Sequence, residues 1–249
     1  QSGLYGAQLA GAGFTGIINV FESDYGGFCT TFSRSTDRFK LDELTAGFGS
    51  EWQTMGVRLK FYSCVGSTHS TLDAVRELRA EHPFAPEDVV KILVHGSETT
   101  LHHVGWKYVP QGLTSAQLNL QYCLATLLLE GEVFVDQFTE AMVADPKRMA
   151  LADKVEVRHD QEITAKGNKF RHMVRVEVFL KDGTRMERTV ESGRGSEHRF
   201  GTEADVVGKF EKLAVKALPK SQVAELRDAV LGLERLDDTR RIARLLTKG

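Results

Sequence analysis

Between residues 60 and 74 the sequence reads Lys-Phe-Tyr-Ser-Cys-Val-Gly-Ser-Thr-His-Ser-Thr-Leu-Asp-Ala, gathering a cation, an imidazole, a thiol and several hydroxyls at the approach to one helix. Ser70 reads as the N-cap and Asp73, three residues on, as the reciprocal member of a capping box. Leu72, Val75 and Leu78 then recur at helical spacing until Pro83 ends the run. Lys60 and His69 are thus predicted to lie near a helix N-terminus. Uncapped N–H groups and the positive end of the helix dipole favour a bound carboxylate or phosphate there. An imidazole beside that charge is suited to hold the anion or to move a proton on it.

The other chemistry-bearing residues sort by context. Cys64 has no base that spacing can place beside it, so it reads as a small buried residue and not a nucleophile. His102 and His103 are adjacent, so in extended chain they point to opposite sides, and no further ligand stands at useful spacing; they read as pocket lining and not as metal ligands. Arg194, between Gly193 and Gly195, is suited to clamp a carboxylate. Tyr122, on an apolar helix, belongs to the core. Gly11-Ala-Gly-Phe-Thr-Gly16 matches G-x-G-x-x-G, and Asp37 follows roughly 20 residues later, where a dinucleotide fold places its ribose carboxylate. That fingerprint must follow a strand and open a helix. Leu4 to Ala10 has no β-branched residue and the stretch after Gly16 has no helical period, so the glycines read as a helix end followed by a turn.

The elements that must position these residues follow from periodicity. A Gly/Ala-rich helix is predicted over 3–13, a short helix over 41–46 and extended chain over 52–62. The helix ending at 82 is followed by a strand at 89–95, a buried helix at 116–130, and two short helices within 136–153, the second starting at Pro146. Residues 154–160 read as a strand. Val174, Val176, Val178 and Leu180 alternate with polar residues, turn at Asp182-Gly183 and return over 185–191, a hairpin. After a glycine-bearing loop to 201, helices are predicted at 203–218, 221–233 and 237–247. Each has one apolar face: Val207, Phe210 and Leu213; Val223, Leu226 and Val230; Ile242, Leu245 and Leu246. The fold class is α+β: helical segments at both ends, with an inserted α/β lobe whose sheet is mainly antiparallel.

The 249 residues are 41% hydrophobic, enough for a core, and 32 Lys+Arg against 34 Asp+Glu leave no global field to attract nucleic acid or an anionic membrane. The longest apolar run, Leu124 to Leu129, is broken by Thr126 and falls well short of the roughly 20 residues of a membrane span. No signal peptide is evident. Cys29, Cys64 and Cys123 suit reduced thiols in a cytoplasmic protein. The chain opens at Gln1, without Met and inside a helix-like stretch, which predicts residues upstream.

Gly6-Ala-Gln-Leu-Ala-Gly-Ala-Gly-Phe-Thr-Gly16, Lys60-x-Tyr62 with Thr68-His69 and Asp73-Ala74, Gln121-Tyr122 in a helix ending at Gly131, Lys181-Asp-Gly183, and Lys209-Phe210 occur in that order over essentially the whole chain. Together they resemble the second half of the MmgE/PrpD family, that of 2-methylcitrate dehydratase, cis-aconitate decarboxylase and some epimerases. Lys60, Tyr62, Thr68 and His69 fall in register with the family motif K-x-Y-P-[SC]-C-x-x-T-H. Ser63 stands in place of Pro, and Cys64 comes one place early.

The resemblance implies an all-helical domain to which residues 1–57 and 199–249 belong, an α/β lid at 58–198, and a site between them. It further implies a homodimer working without a metal or organic cofactor. The implied activity is that of a lyase, dehydratase or decarboxylase, acting on a small di- or tricarboxylate by proton transfer α to a carboxylate. Lys60 and His69 are the expected catalytic residues. Tyr62, Ser63, Ser67, Thr68, His102, His103 and Arg194 are the expected substrate-binding residues. The family also draws acids and bases from its first helical half, so the principal base is expected outside this chain. Two alternatives stand beside this: an epimerase or isomerase of the same family, and a non-catalytic fragment or partner subunit that needs a separate helical half.

Overall fold

The computed structural model describes residues 1–247, which fall into two compact units, Gln1–Thr54 and Met55–Gly249. The helices after residue 199 are in the same unit as residues 58–198. Among the described residues, no helix is long and apolar enough to cross a membrane.

The first unit contains α1 (Ser2–Gly11) and α2 (Phe28–Ser33), joined and followed by turns. The glycine-rich fingerprint closes α1 and follows no strand, as its context predicts. The helix expected at 41–46 is a single 3-10 turn, Leu41–Leu44. The extended reading of 52–62 is also corrected: a 3-10 turn occupies Gln53–Gly56 and the chain beyond it forms no strand. Its one ladder-like bond is Leu59 N–H to Gly195 O at 2.8 Å, too little pairing for a strand.

The second unit is organised by a four-stranded sheet in the order β2-β1-β3-β4. Its strands are β1 (Val89–Gly96), β2 (Val155–His159), β3 (Val174–Leu180) and β4 (Arg185–Val190). Only β1 and β2 are parallel; β3 pairs antiparallel with both β1 and β4. The alternation that predicts the hairpin buries Val174, Val176 and Val178 with Met186 and Val190. Onto that face packs α3 (His69–Glu81), through Leu72, Val75 and Leu78, so the periods of 2 and 3.6 meet in one core.

Between β1 and β2 run α4 (Glu98–Val104), α5 (Leu113–Leu118), α6 (Leu120–Glu130), α7 (Glu140–Val143) and α8 (Pro146–Ala152), the crossover that a parallel pair requires. The helix expected over 116–130 is two, because Asn119 adopts extended backbone and its side chain accepts from Tyr122 N–H, capping α6 and ending α5. α6 is buried nearly all round, Tyr122 included. α9 (Gln161–Ala165) leads towards β3. Beyond β4 lie α10 (Glu203–Ala214), α11 (Lys220–Leu231) and α12 (Arg240–Leu245). Of the three apolar faces expected there, only that of α11 is buried, at Val223 and Leu226, with Val230 exposed; α10 and α12 have no buried residue. An amphipathic stripe shows what a helix can bury, and the layer that covers it must come from elsewhere.

Candidate functional site

The predicted capping box is absent. α3 begins at His69, continues directly from a 3-10 turn at Gly66–Thr68, and has no side-chain cap. Asp73 is turned to longer-range partners. Tyr62 Oη donates to its Oδ1 at 2.6 Å, Arg194 N–H donates to its Oδ2 at 2.6 Å, and the Arg199 guanidinium lies 3.5 Å from Oδ2. Two segments distant in sequence are thereby pinned to the first turns of α3. Burial, reinforced by the Asp73 carboxylate, pushes the Tyr62 phenol far above its usual pKa, so its hydroxyl holds structure as a donor.

Glycines let the loop after β4 close on these segments. Gly195 has φ +89°, and a Cβ there would lie 2.1 Å from Leu59 O; a Cβ at Gly193 would meet His69 Cβ at 3.0 Å. Arg58 clamps the same loop through a two-pronged pair with Glu197 at 2.8 and 2.9 Å.

Two of the cavities in the second unit border the segment before α3. The smaller, about 110 Å³, is walled by Arg58, Lys60, His69, Ser70, His172 and Arg194 together with the glycine loop. The larger, about 430 Å³, is an open cleft lined by Lys60, Ser63, Cys64, Phe134 and Lys209 and by apolar residues of α5 and α10. Lys60 alone lines both. No Asp or Glu lines either cavity. Arg58 is paired with Glu197 and Arg194 with Asp205. Among the described residues, no carboxylate stands within 4.0 Å of the ammonium of Lys60 or Lys209. Uncompensated positive charge in a partly dry recess favours an anion.

His69 is 5% exposed and its ring meets Tyr62 edge-on at 5.1 Å between centroids. Its Nε2 has no hydrogen-bond partner among the described residues. Thr68 Oγ1 donates to Val65 O at 2.8 Å, which leaves the Cys64 thiol, 3.0 Å away, to donate to Thr68. Burial raises both Cys64 and Cys123, but hydrogen bonds from Cys123 and His69 pull Cys64 down, so Cys64 is the more acidic thiol of the pair.

The sequence-predicted residues therefore separate. Lys60, His69 and Arg194 meet at the small cavity, and Lys60, Ser63 and the Tyr62 ring line the cleft. Arg194 also lies over the Phe61 ring at 4.6 Å. Thr68 is spent on Val65 and Cys64, and Ser67 is buried; neither lines a cavity. His102 and His103 are exposed on α4 and line neither cavity; His102 lies 3.7 Å from Glu98.

Three members of the cavity walls escaped the sequence reading. His172 and Arg58 had no local signal, since each is placed by elements remote in sequence. Lys209 was marked only by the family-like Lys209-Phe210 pair. Burial, aided by the nearby charges of Arg171, Arg58, His103 and His69, holds the His172 imidazole down to about 4, hence neutral near pH 7.

Comparison with known proteins bears on this arrangement. A family model, the MmgE/PrpD C-terminal domain, matches residues 62–235. The chain is 31% identical over 259 residues to the cis-aconitate decarboxylase-like protein oryM of Aspergillus oryzae, an alignment that covers 99% of the chain and 53% of that protein. It is 30% identical over 258 residues to a cis-aconitate decarboxylase of Aspergillus terreus, covering 99% and 52%. The chain spans about half the length of the curated relatives it matches.

Proposed function

The chain belongs to the MmgE/PrpD family, and from that premise we propose that it carries the anion-binding half of a cofactor-independent lyase acting on a small di- or tricarboxylate. The observation that carries the reading is Lys60, a lysine shared by two acid-free cavities, beside a buried histidine whose Nε2 is unpaired. Removing a proton, or carbon dioxide, next to a carboxylate leaves an electron pair that delocalises into an enolate-like dianion. Cations placed beside the developing charge stabilise it more in the transition state than in the bound acid. Lys60 and Lys209 supply such cations. His69, packed edge-on against Tyr62, offers Nε2 for proton transfer or for fixing a carboxyl group.

The names of the relatives favour decarboxylation of an unsaturated tricarboxylate over dehydration. The principal base is assigned to a part of the relatives' length that this chain does not span, and a homodimer is part of the same proposal.

The test is turnover of cis-aconitate by the whole protein, with carbon dioxide release and water loss followed separately. Lys60→Ala should lower kcat/KM by about a hundredfold or more, the scale of losing one charge-stabilising group, with an unchanged melting temperature. Wild-type rates in that variant would sink the assignment of Lys60. Because the chain spans about half of its relatives, a second reading is that it is a partner subunit. It is distinguished by an inactive 249-residue chain that gains turnover when the complementary half is added.

A further inference from the structure

His69 Nε2, Ser70 Oγ and His172 Nδ1 are buried polar atoms without a partner among the described residues, and all three residues wall the same small cavity. Buried polar groups in folded proteins are nearly always hydrogen-bonded, so three unpaired ones around one void mark a site that a ligand would complete. At about 110 Å³ the void has room for about four water molecules, enough for a carboxylate and one or two carbons but not for a whole tricarboxylate.

We propose that this cavity is a subsite for one carboxylate arm, that the rest of the ligand passes Lys60 into the larger cleft, and that His172 makes the subsite select a carboxylate over a neutral group. This deepens the reading of the family site given above and rests on it. The groups facing His172 come from every neighbouring element: Arg58 and Lys60 from the segment before α3, His69 from α3, His103 from α4, Arg171 from its own loop, and Arg194 from the loop after β4. Glu197 pairs with Arg58, and Asp205 with Arg194. In that company burial and the surrounding cations keep His172 neutral, its pKa held down to about 4. An entering carboxylate reverses the local field and favours the imidazolium, so binding takes up a proton and affinity rises as pH falls through the raised, ligand-bound midpoint towards the free value of about 4. Each unit by which the ligand raises the His172 midpoint corresponds to about tenfold in affinity between the two protonation states. A neutral arm draws no proton and gains nothing.

The probe is oxalate, a small dicarboxylate that remains ionised over this range, compared with oxamide, in which amides replace both carboxylates. The 249-residue chain is titrated by NMR of its histidine ring signals, with the His172 signal identified by its loss in His172→Gln. With saturating oxalate the His172 midpoint should rise by a unit or more, and the oxalate over oxamide preference should grow as the pH is lowered from above the raised midpoint to the free value near 4, approaching about tenfold per unit of rise. In His172→Gln, which keeps hydrogen-bonding groups but cannot titrate, that preference should be independent of pH, with the melting curve read by Trp106 unchanged. A His172 midpoint unmoved by bound oxalate, an equal pH dependence in the variant, or no oxalate binding in the millimolar range would each overturn the proposal. None of these readouts requires turnover, so a lyase reading that fails in the Lys60→Ala assay fails separately from this subsite.

Discussion

In residues 1–54, Ile18 is 99%, Tyr25 96% and Phe48 90% exposed, whereas in the second unit Leu72, Ile92, Tyr122 and Val176 are sealed in a continuous core. Both stretches hold the large apolar residues from which cores are made. They differ in layering. The second unit sets a helix across a sheet, so that two apolar faces cover one another, while α1 has no buried residue at all and α2 buries only Thr30. The short first stretch lies in the size range where burial barely offsets chain entropy, and its shape rests on local turns. A carved, charged recess needs the kind of frame that the second unit has: the small cavity is walled by the first turn of α3 and the glycine loop after β4, and the cleft by the segment before α3 with α5 and α10.

The largest expected effect tests that contrast directly. Leu72→Ala should cost about 2–5 kcal/mol, the usual range for emptying a core position, and Phe48→Ala no more than about 0.5 kcal/mol. Urea unfolding checks the first through Trp106 fluorescence in a Trp52→Phe background and the second through Trp52 fluorescence in a Trp106→Phe background. Comparable losses would mean that residues 1–54 are covered after all, and the comparison breaks.

A matched pair of glycines sharpens it. Gly13 and Gly195 share positive φ, +90° and +89°, but a Cβ at Gly13 meets nothing within 4 Å, whereas at Gly195 it meets Leu59 O. Gly13→Ala should cost about 1 kcal/mol from backbone strain alone. Gly195→Ala should cost roughly 1–3 kcal/mol and also abolish oxalate binding, because the loop must leave Leu59 and open the small cavity. Retained binding with only a small stability loss would show that the loop does not shape that cavity.

The smallest effect is electrostatic. Glu177 is buried in the sheet and accepts from Arg185 at 2.6 and 2.9 Å and from His95 at 2.8 Å. Burial alone would raise its pKa, but the Arg185 and His95 bonds hold it below the usual carboxylate value. A carboxylate depressed in the folded state contributes stability that is present above its unfolded pKa, about 4.3, and lost as pH falls through the folded value. Glu177→Gln should make the acid limb of the second unit's stability curve shallower below that pH, as read by Trp106. Among the described residues, no ion pair involves residues 1–54, so Trp52 should not report the same change.

The hairpin, α3 and the strands β1 and β2 were legible because each is written as a period or a β-branched run in consecutive residues. The fingerprint at 11–16 was set aside correctly because its context, and not its letters, carries the chemistry. Two of the misreadings share a cause. Ser70 and Asp73 fit a capping box by spacing, yet Asp73 found better partners in Tyr62 and Arg194. The helix over 116–130 looked continuous until Asn119 capped its second half. In both cases a local pattern competed with a hydrogen bond whose geometry spacing alone does not reveal.

Of the site, the sequence by itself determined the chemistry: a lysine and a histidine at the approach to a helix, an arginine among glycines, and an order of motifs that marks the MmgE/PrpD family. Tertiary structure decided which of them share a cavity. Lys60, His69 and Arg194 converge, His102 and His103 remain on an exposed helix face, and His172, unmarked by any motif, arrives because the approach to β3 brings it to the first turn of α3. The physical reason is that residue types and periods are encoded along the chain, whereas burial, field and unpaired hydrogen-bonding groups arise only when segments remote in sequence exclude water together.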